Sequence, residues 1–193
     1  MSEPLLLLDN LTKRFGGLTA VRDVSLEMKK GDLLSIIVPS GDGKTTLFNL
    51  VTGQYPPSAG RVLFQGKDIS ALPPQQRAQL GLGRTFQISK TLTTLSALEN
   101  AMIGAFLKRR HLDDAARHAR RILDLVGLGD RAGIQAGTLT LSERRRLEIA
   151  RALALDCSVL LLDEVMAGPD PEEGESVVHL VPRPPPRRGS ILR

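Results

Sequence analysis

The sequence predicts a one-domain α/β fold, and three stretches carry that prediction. "SIIVPSGDGKTTL" (Ser35–Leu47) runs from an apolar strand through a glycine loop into a helix start. "TLTLSERRRLEIARALAL" has strong helical spacing. "SVLLLDE" (Ser158–Glu164) is an apolar run closed by two carboxylates. An uninterrupted run of that kind suits a central parallel strand covered on both faces.

Bulk properties narrow the class. A chain of 193 residues suffices for one domain that buries roughly 70% of its unfolded surface. Apolar content of 41% with 24% charged residues fits a soluble globular protein. No apolar run approaches the ~18 residues that cross a bilayer. Leu5–Leu8 is too short for a signal peptide and lacks a basic flank, so a cytoplasmic location is expected. Cys157 is alone, which excludes an internal disulfide, and it reads as a small residue beside a buried strand. The net charge of +5 is concentrated: Pro182–Arg193 holds four arginines and no acid, leaving +1 elsewhere. With aromatic content at 3% there are few rings to stack on bases, and no nucleic-acid partner is expected.

Taken in order, Leu5–Leu8, Val24–Met28 and Leu33–Val38 read as strands, with "KKGD" (Lys29–Asp32) as a turn. Lys44–Gly53 reads as a helix ended by Gly53, with Pro56 and Pro57 just beyond. "GRVLFQGKDI" suggests a strand with a glycine turn. From Leu72 to Val126 the Ala, Leu, Arg and Glu texture is helical, and it predicts a helical insert over about 72–140 within one domain, 1–181. Thr140 and Glu143 fit a capping box at the start of the next helix, whose Leu147, Ala150, Leu153 and Ala154 share a side. "PRPPPRRGSILR" (182–193) holds four prolines and reads as an irregular tail.

The chemistry centres on the glycine loop. Backbone N–H groups at such a strand–loop–helix junction converge on one point, where the helix dipole also favours an anion. Gly41 and Gly43 permit close backbone approach. Lys44 can reach outer phosphates, and the Thr45 hydroxyl can ligate Mg²⁺. Against G-x-x-x-x-G-K-[ST] the frame spans Val38 to Thr45, and only its opening glycine is absent. A phosphate-bound Mg²⁺ also needs a carboxylate from a neighbouring strand end. Asp163 would orient the metal or its water, and Glu164 would position and activate the attacking water.

With these motifs in order, the chain resembles the ATP-binding subunit of an ABC transporter from Leu5 to about Glu173. "GGLTAVRDVSLEMKKGDLLSII", "GLGRTFQ" and "RRRLEIARALA…LLLDEVMAG" most resemble the branch that powers uptake of branched-chain amino acids. A related lipid-export branch shares "RRRLEIARALA". The resemblance implies a P-loop NTPase of the ABC type: a mainly parallel core sheet, an antiparallel β region and a helical insert, with the carboxyl-terminal part cut short. It implies that Phe15 stacks on adenine, and that Ser40, Gly41, Asp42, Gly43, Lys44, Thr45 and Thr46 form the Walker A phosphate loop. It makes Gln87 the sensor of Mg²⁺ and attacking water. It places Thr140 and Ser142 in the signature that contacts the ATP of the opposite subunit, and "AGPDP" (Ala167–Pro171) at the dimer interface. ATP and Mg²⁺ are the implied ligands. Implied partners are a second ATP-binding subunit, transmembrane permease subunits and, indirectly, a solute-binding protein, at the cytoplasmic face of the membrane.

Four departures bear on activity. Val38 replaces the first loop glycine; Pro39 keeps it extended, but its isopropyl group adds crowding expected to cost on the order of 1–3 kcal/mol of ATP binding. Asp42 puts a carboxylate near the phosphates. Thr140 and Ser142 stand where the family has serine and glycine. Proline and arginine take over after "EEGESVVHLV"; His179 lies too early for the γ-phosphate histidine, and "RRGSIL" resembles the approach to a missing strand. The sequence therefore leaves three functions open: an importer ATPase, a nucleotide-binding module without hydrolysis, and a truncated or frame-slipped product.

Overall fold

Ten residues of alternating burial open the fold. β1 (Leu6–Phe15) buries Leu6, Leu8 and Leu11 completely and pairs antiparallel with β2 (Leu18–Met28). In this computed structural model, residues 3–36, 43–85, 91–162 and 190–192 are described. Both strands outrun the apolar runs that signal them. Beyond Leu8 the chain turns polar, yet its backbone stays paired with β2, through a bulged register, as far as Phe15. β4 (Ala59–Phe64) pairs with the other edge of β1, and β5 (Lys67–Asp68) returns from it. Gln65 and Gly66 turn between these two with φ of 51° and 75°. That is the left-handed pair a two-residue hairpin needs.

A second sheet is wholly parallel, in the order β3 (Leu33–Leu34), β8 (Ser190–Leu192), β7 (Val159–Leu161), β6 (Leu82–Arg84). Two sequence expectations need correction here. The stretch from Leu72 is not continuously helical, because Leu82–Arg84 is a strand paired with β7. Three residues between the left-handed Gly81 and Thr85 are too few to register as a period. Nor is the whole of 182–193 irregular, because Ser190–Leu192 fills the gap between β3 and β7. The prolines lie upstream of it, and a composition averaged over the segment hides the three strand residues.

Between the sheets runs α1 (Lys44–Thr52), ended as expected by a left-handed Gly53. The fully buried Arg77 of α2 (Pro74–Leu80) closes that end. Its Nη1 donates to the Leu50 and Val51 carbonyls at 2.7 and 2.8 Å, Nε to Leu72 at 2.9 Å and Nη2 to Ser70 at 2.8 Å. Burial pulls its pKa down to about 10, so the guanidinium is still charged at neutral pH. A cation on the carbonyl end of a helix is favourably placed against the dipole.

The helical part comprises α3 (Ala97–Ala105), α4 (Leu112–Leu125) and α5 (Leu141–Leu153), packed around Ala101, Ala119, Leu123, Leu147 and Ala150. Thr140 and Glu143 form the expected capping box on α5, and Ser96 and Glu99 form a second on α3. After α5 the chain turns through Asp156 at φ 50°. Lys108 donates to the Asp156 carbonyl and Arg109 to its carboxylate, each at 2.7 Å. Buried His118 of α4 stands 3.4 Å from the same carboxylate.

Burial holds the His118 pKa below its ordinary 6.5; Asp156 opposes this, while Arg109 and Arg121 add to it. The folded state therefore prefers neutral His118. Its contribution to stability is complete above pH 6.5 and is lost as pH falls from there through the lower folded value. Denaturant midpoints measured between about pH 7.5 and 5 should fall on acidification, and His118→Gln should flatten that slope.

Candidate functional site

The parallel sheet decides which chain segments meet. β3, β6 and β7 run in the same direction, so their carboxyl ends share one edge. Open α/β sheets bind ligands at that edge. From β3 the chain passes to the glycine loop and α1. At β6 and β7, Thr85 N–H donates to the Leu161 carbonyl at 3.0 Å. That bond lies two residues before Gln87 and two before Asp163 in sequence. Both strands are buried where they pair, and β7 is covered on both faces.

The start of α1 is built around Gly43. It is the N-cap residue, at φ 88°, and a Cβ there would lie 2.2 Å from the Ala20 carbonyl oxygen of β2. Glycine is therefore required twice, by conformation and by contact. Lys44, Thr45 and Thr46 follow as the first helical positions, with Thr45 exposed and the other two half-buried. Amides of a helix's first turn have no intrahelical acceptor. α1 has no side-chain cap and no acid in that turn, whereas α3 and α5 have both. An anion thus fits the start of α1 better than the start of α3 or α5. Among the described residues no cluster of His, Cys, Asp or Glu could hold a metal ion. Val38, Ser40, Gly41, Asp42, Gln87, Asp163, Glu164, Ala167–Pro171 and His179 lie outside the described residues.

Other expected residues are directly visible. Phe15 is not a core residue; it is 42% exposed at the end of β1, against Tyr55. Lys13 and Tyr55, which the sequence did not single out, surround it. The only advance signal was their proximity in sequence to Phe15 and to the helix stop. Thr140 is exposed, and its hydroxyl both accepts and donates: Oγ1 accepts from Glu143 N–H at 3.2 Å and donates to the Glu143 carboxylate at 3.0 Å. The Thr140 N–H donates to the same carboxylate at 2.9 Å. This backbone bond, before any other cause, holds the Glu143 carboxyl below its ordinary range. Ser142 is half-buried beside Leu141, which is 62% exposed. Cys157 is inert, since burial raises its thiol to about 11 and little thiolate forms at neutral pH.

Comparison with known proteins agrees with this geometry. Residues 21–167 match the family described as ABC transporter. The high-affinity branched-chain amino acid transport ATP-binding protein LivG of Escherichia coli (strain K12) is 38% identical, over 94% of this chain and 77% of that protein. BraF of Pseudomonas aeruginosa, of the same description, is 36% identical over 94% and 77%. Among solved structures, the ADP conformation of an ATP-binding cassette of an ABC transporter superposes with TM-score 0.87. It is 29% identical and covers 99% of this chain and 80% of that one. A dimeric post-hydrolysis cassette bound to ADP and Pi superposes with TM-score 0.85 at 26% identity, over 97% and 86%.

Two substitutions test the local geometry. Gly43→Ala should cost at least about 1–2 kcal/mol of stability from backbone conformation alone, read as a lower denaturant midpoint. Thr140→Ala should cost about 0.5–2 kcal/mol through the lost cap, without the clash that accompanies the first.

Proposed function

The chain belongs to the ABC transporter family, and from that premise we propose that it is the ATP-hydrolysing subunit of an importer for branched-chain amino acids. One arrangement supports this reading above all others: the segments carrying Lys44, Gln87 and Asp163–Glu164 all leave the same edge of one parallel sheet. At that edge the start of α1, which has no side-chain cap, would present amides and the Lys44 ammonium to the outer phosphates. Thr45 and Asp163 would hold Mg²⁺, which when bound neutralises charge on the phosphate oxygens. Gln87 would orient the water and Glu164 would accept its proton. Phe15 would stack on adenine. The start of α5, with Thr140 and Ser142, would face the nucleotide of a second ATP-binding subunit. Closure of that pair would move permease subunits docked near the helical part and Gln87, with a solute-binding protein acting through them. No helix among the described residues is long and apolar enough to cross a membrane. Membrane association would therefore come from the permease, at its cytoplasmic face.

The alternative is a nucleotide-binding subunit without turnover. Val38 and Asp42 in the loop favour it, as does the closed capping box at Thr140. Related lipid export remains a different cargo for the same motor.

The decisive measurement is Mg²⁺-dependent ATP turnover by the chain with its membrane subunits. Turnover that Glu164→Gln lowers by about 100-fold or more supports the enzyme. Binding without turnover supports the alternative. Val38→Gly should tighten ATP binding roughly 5- to 150-fold, and failure of both the natural chain and this variant to bind would overturn the phosphate site itself.

A further inference from the structure

A nucleotide presents a base as well as phosphates, and the cluster around Phe15 has the form of a base platform with more parts than one ring. Lys13 and Phe15 are two apart on β1, so their side chains leave the same side of the strand. The Lys13 ammonium lies 5.1 Å from the centre of the Phe15 ring. Tyr55 meets that ring edge to face, with centroids 5.4 Å apart and planes at 81°. Lys13 is itself tethered, donating to the Pro56 carbonyl at 2.7 Å and standing 5.7 Å from the Tyr55 ring centre. The contacts are mutual, and each is of a kind that favours one geometry.

An exposed phenylalanine ordinarily turns freely among rotamers, and a ligand that stacks on it must first still it. Here the cation and the second ring do so in advance, while 42% of Phe15 remains open. The platform also has the right position. Phe15 pairs with Leu18, two residues from Ala20, whose carbonyl abuts Gly43. Two residues of strand span about 7 Å, so Phe15 stands roughly 10 Å from Gly43. That is the scale of the separation between a nucleotide's base and its outer phosphates.

We propose that Tyr55 and Lys13 are positioning residues for the nucleotide base: they fix Phe15 while it stays 42% exposed, so that a purine stacks on a ring already held in place. Neither touches the reacting atoms. This rests on the reading of Lys44 and its loop as the phosphate site.

The test separates base from phosphates by titrating the full chain calorimetrically with Mg²⁺–ATP and, separately, with Mg²⁺–tripolyphosphate. Tyr55→Ala should weaken ATP binding about 3- to 10-fold and leave tripolyphosphate binding unchanged. Tyr55→Phe, which keeps the ring, should bind ATP like the natural chain. Lys13→Met leaves both rings present, which guards against a folding defect in Tyr55→Ala, and should show the same ATP-selective loss. An equal loss for both ligands would make Tyr55 a structural residue and overturn the proposal, as would unchanged ATP affinity in Tyr55→Ala and Lys13→Met. If the natural chain bound tripolyphosphate as tightly as ATP, the base platform alone would fall. If it bound neither, the phosphate-site reading would fall, and the platform with it.

Discussion

The structure depends on one three-residue strand that is buried on both sides. Side chains alternate along a strand, and β7 uses that alternation to join two cores. Val159 and Leu161 pack with β1, β2, β4 and α1, while Leu160 packs with the three-helix cluster, as does Leu162 just past the strand. A one-residue slip would exchange the two sets, and the partners on either face differ in kind. The register that holds the cores together therefore also fixes where the chain stands at Leu162, one residue before Asp163 in sequence. Hydrogen bonding to β6 carries the same constraint across to Thr85, and so to the start of the segment containing Gln87. Packing far from any ligand sets the spacing of the segments proposed to act on one.

The other half of that proposed site is a helix whose two ends are treated oppositely. At its carbonyl end, α1 receives the buried Arg77, with carbonyls at Leu50, Val51, Ser70 and Leu72 taking its donors. Removing water from a guanidinium is costly unless its donors are satisfied. Here they are satisfied by two carbonyls at the end of α1 and two from the segment just before α2. From β6, Arg84 adds a bond to Asn49 and lies over Phe48, 5.8 Å from its ring centre. At the amide end, Gly43 supplies no cap, and its missing Cβ lets the turn sit against Ala20. The helix is clamped where no ligand is expected, and has no side-chain cap where one is.

Much of this was legible in the sequence, for reasons that differ by element. The central strand announced itself because "VLLL" has no polar residue to interrupt it, and α5 because Thr140–Glu143 is a local motif. Gly53 was legible because helix stops use glycine for a reason that involves no distant contact. The strand at Leu82–Arg84 was not, because it exists through pairing with β7, seventy-odd residues away. Ser190–Leu192 failed for the same reason, its strand state being supplied by β3 and β7. In the site, Lys44 and Gly43 were legible from spacing. Lys13 and Tyr55 were not, since a cation–ring contact between β1 and the chain after α1 leaves no periodic trace.

The start of α5 sets a further constraint on the proposed pairing of two subunits. One of its first-turn amides, the Glu143 N–H, is already taken by the Thr140 hydroxyl, and the Thr140 N–H by the Glu143 carboxylate. The Thr140 backbone N–H, before any other cause, holds the Glu143 carboxyl below its ordinary range. A phosphate approaching this helix thus meets a carboxylate before it meets the dipole. Arg131, whose Nε lies 3.2 Å from Glu143 Oε1 while Oε2 serves the box, offsets part of that charge. A contact of the Thr140 hydroxyl proton with a second subunit's nucleotide would compete with its bond to Glu143. A contact through the Ser142 N–H would leave the box in place, so the cap and the proposed signature contact are compatible at the same helix start.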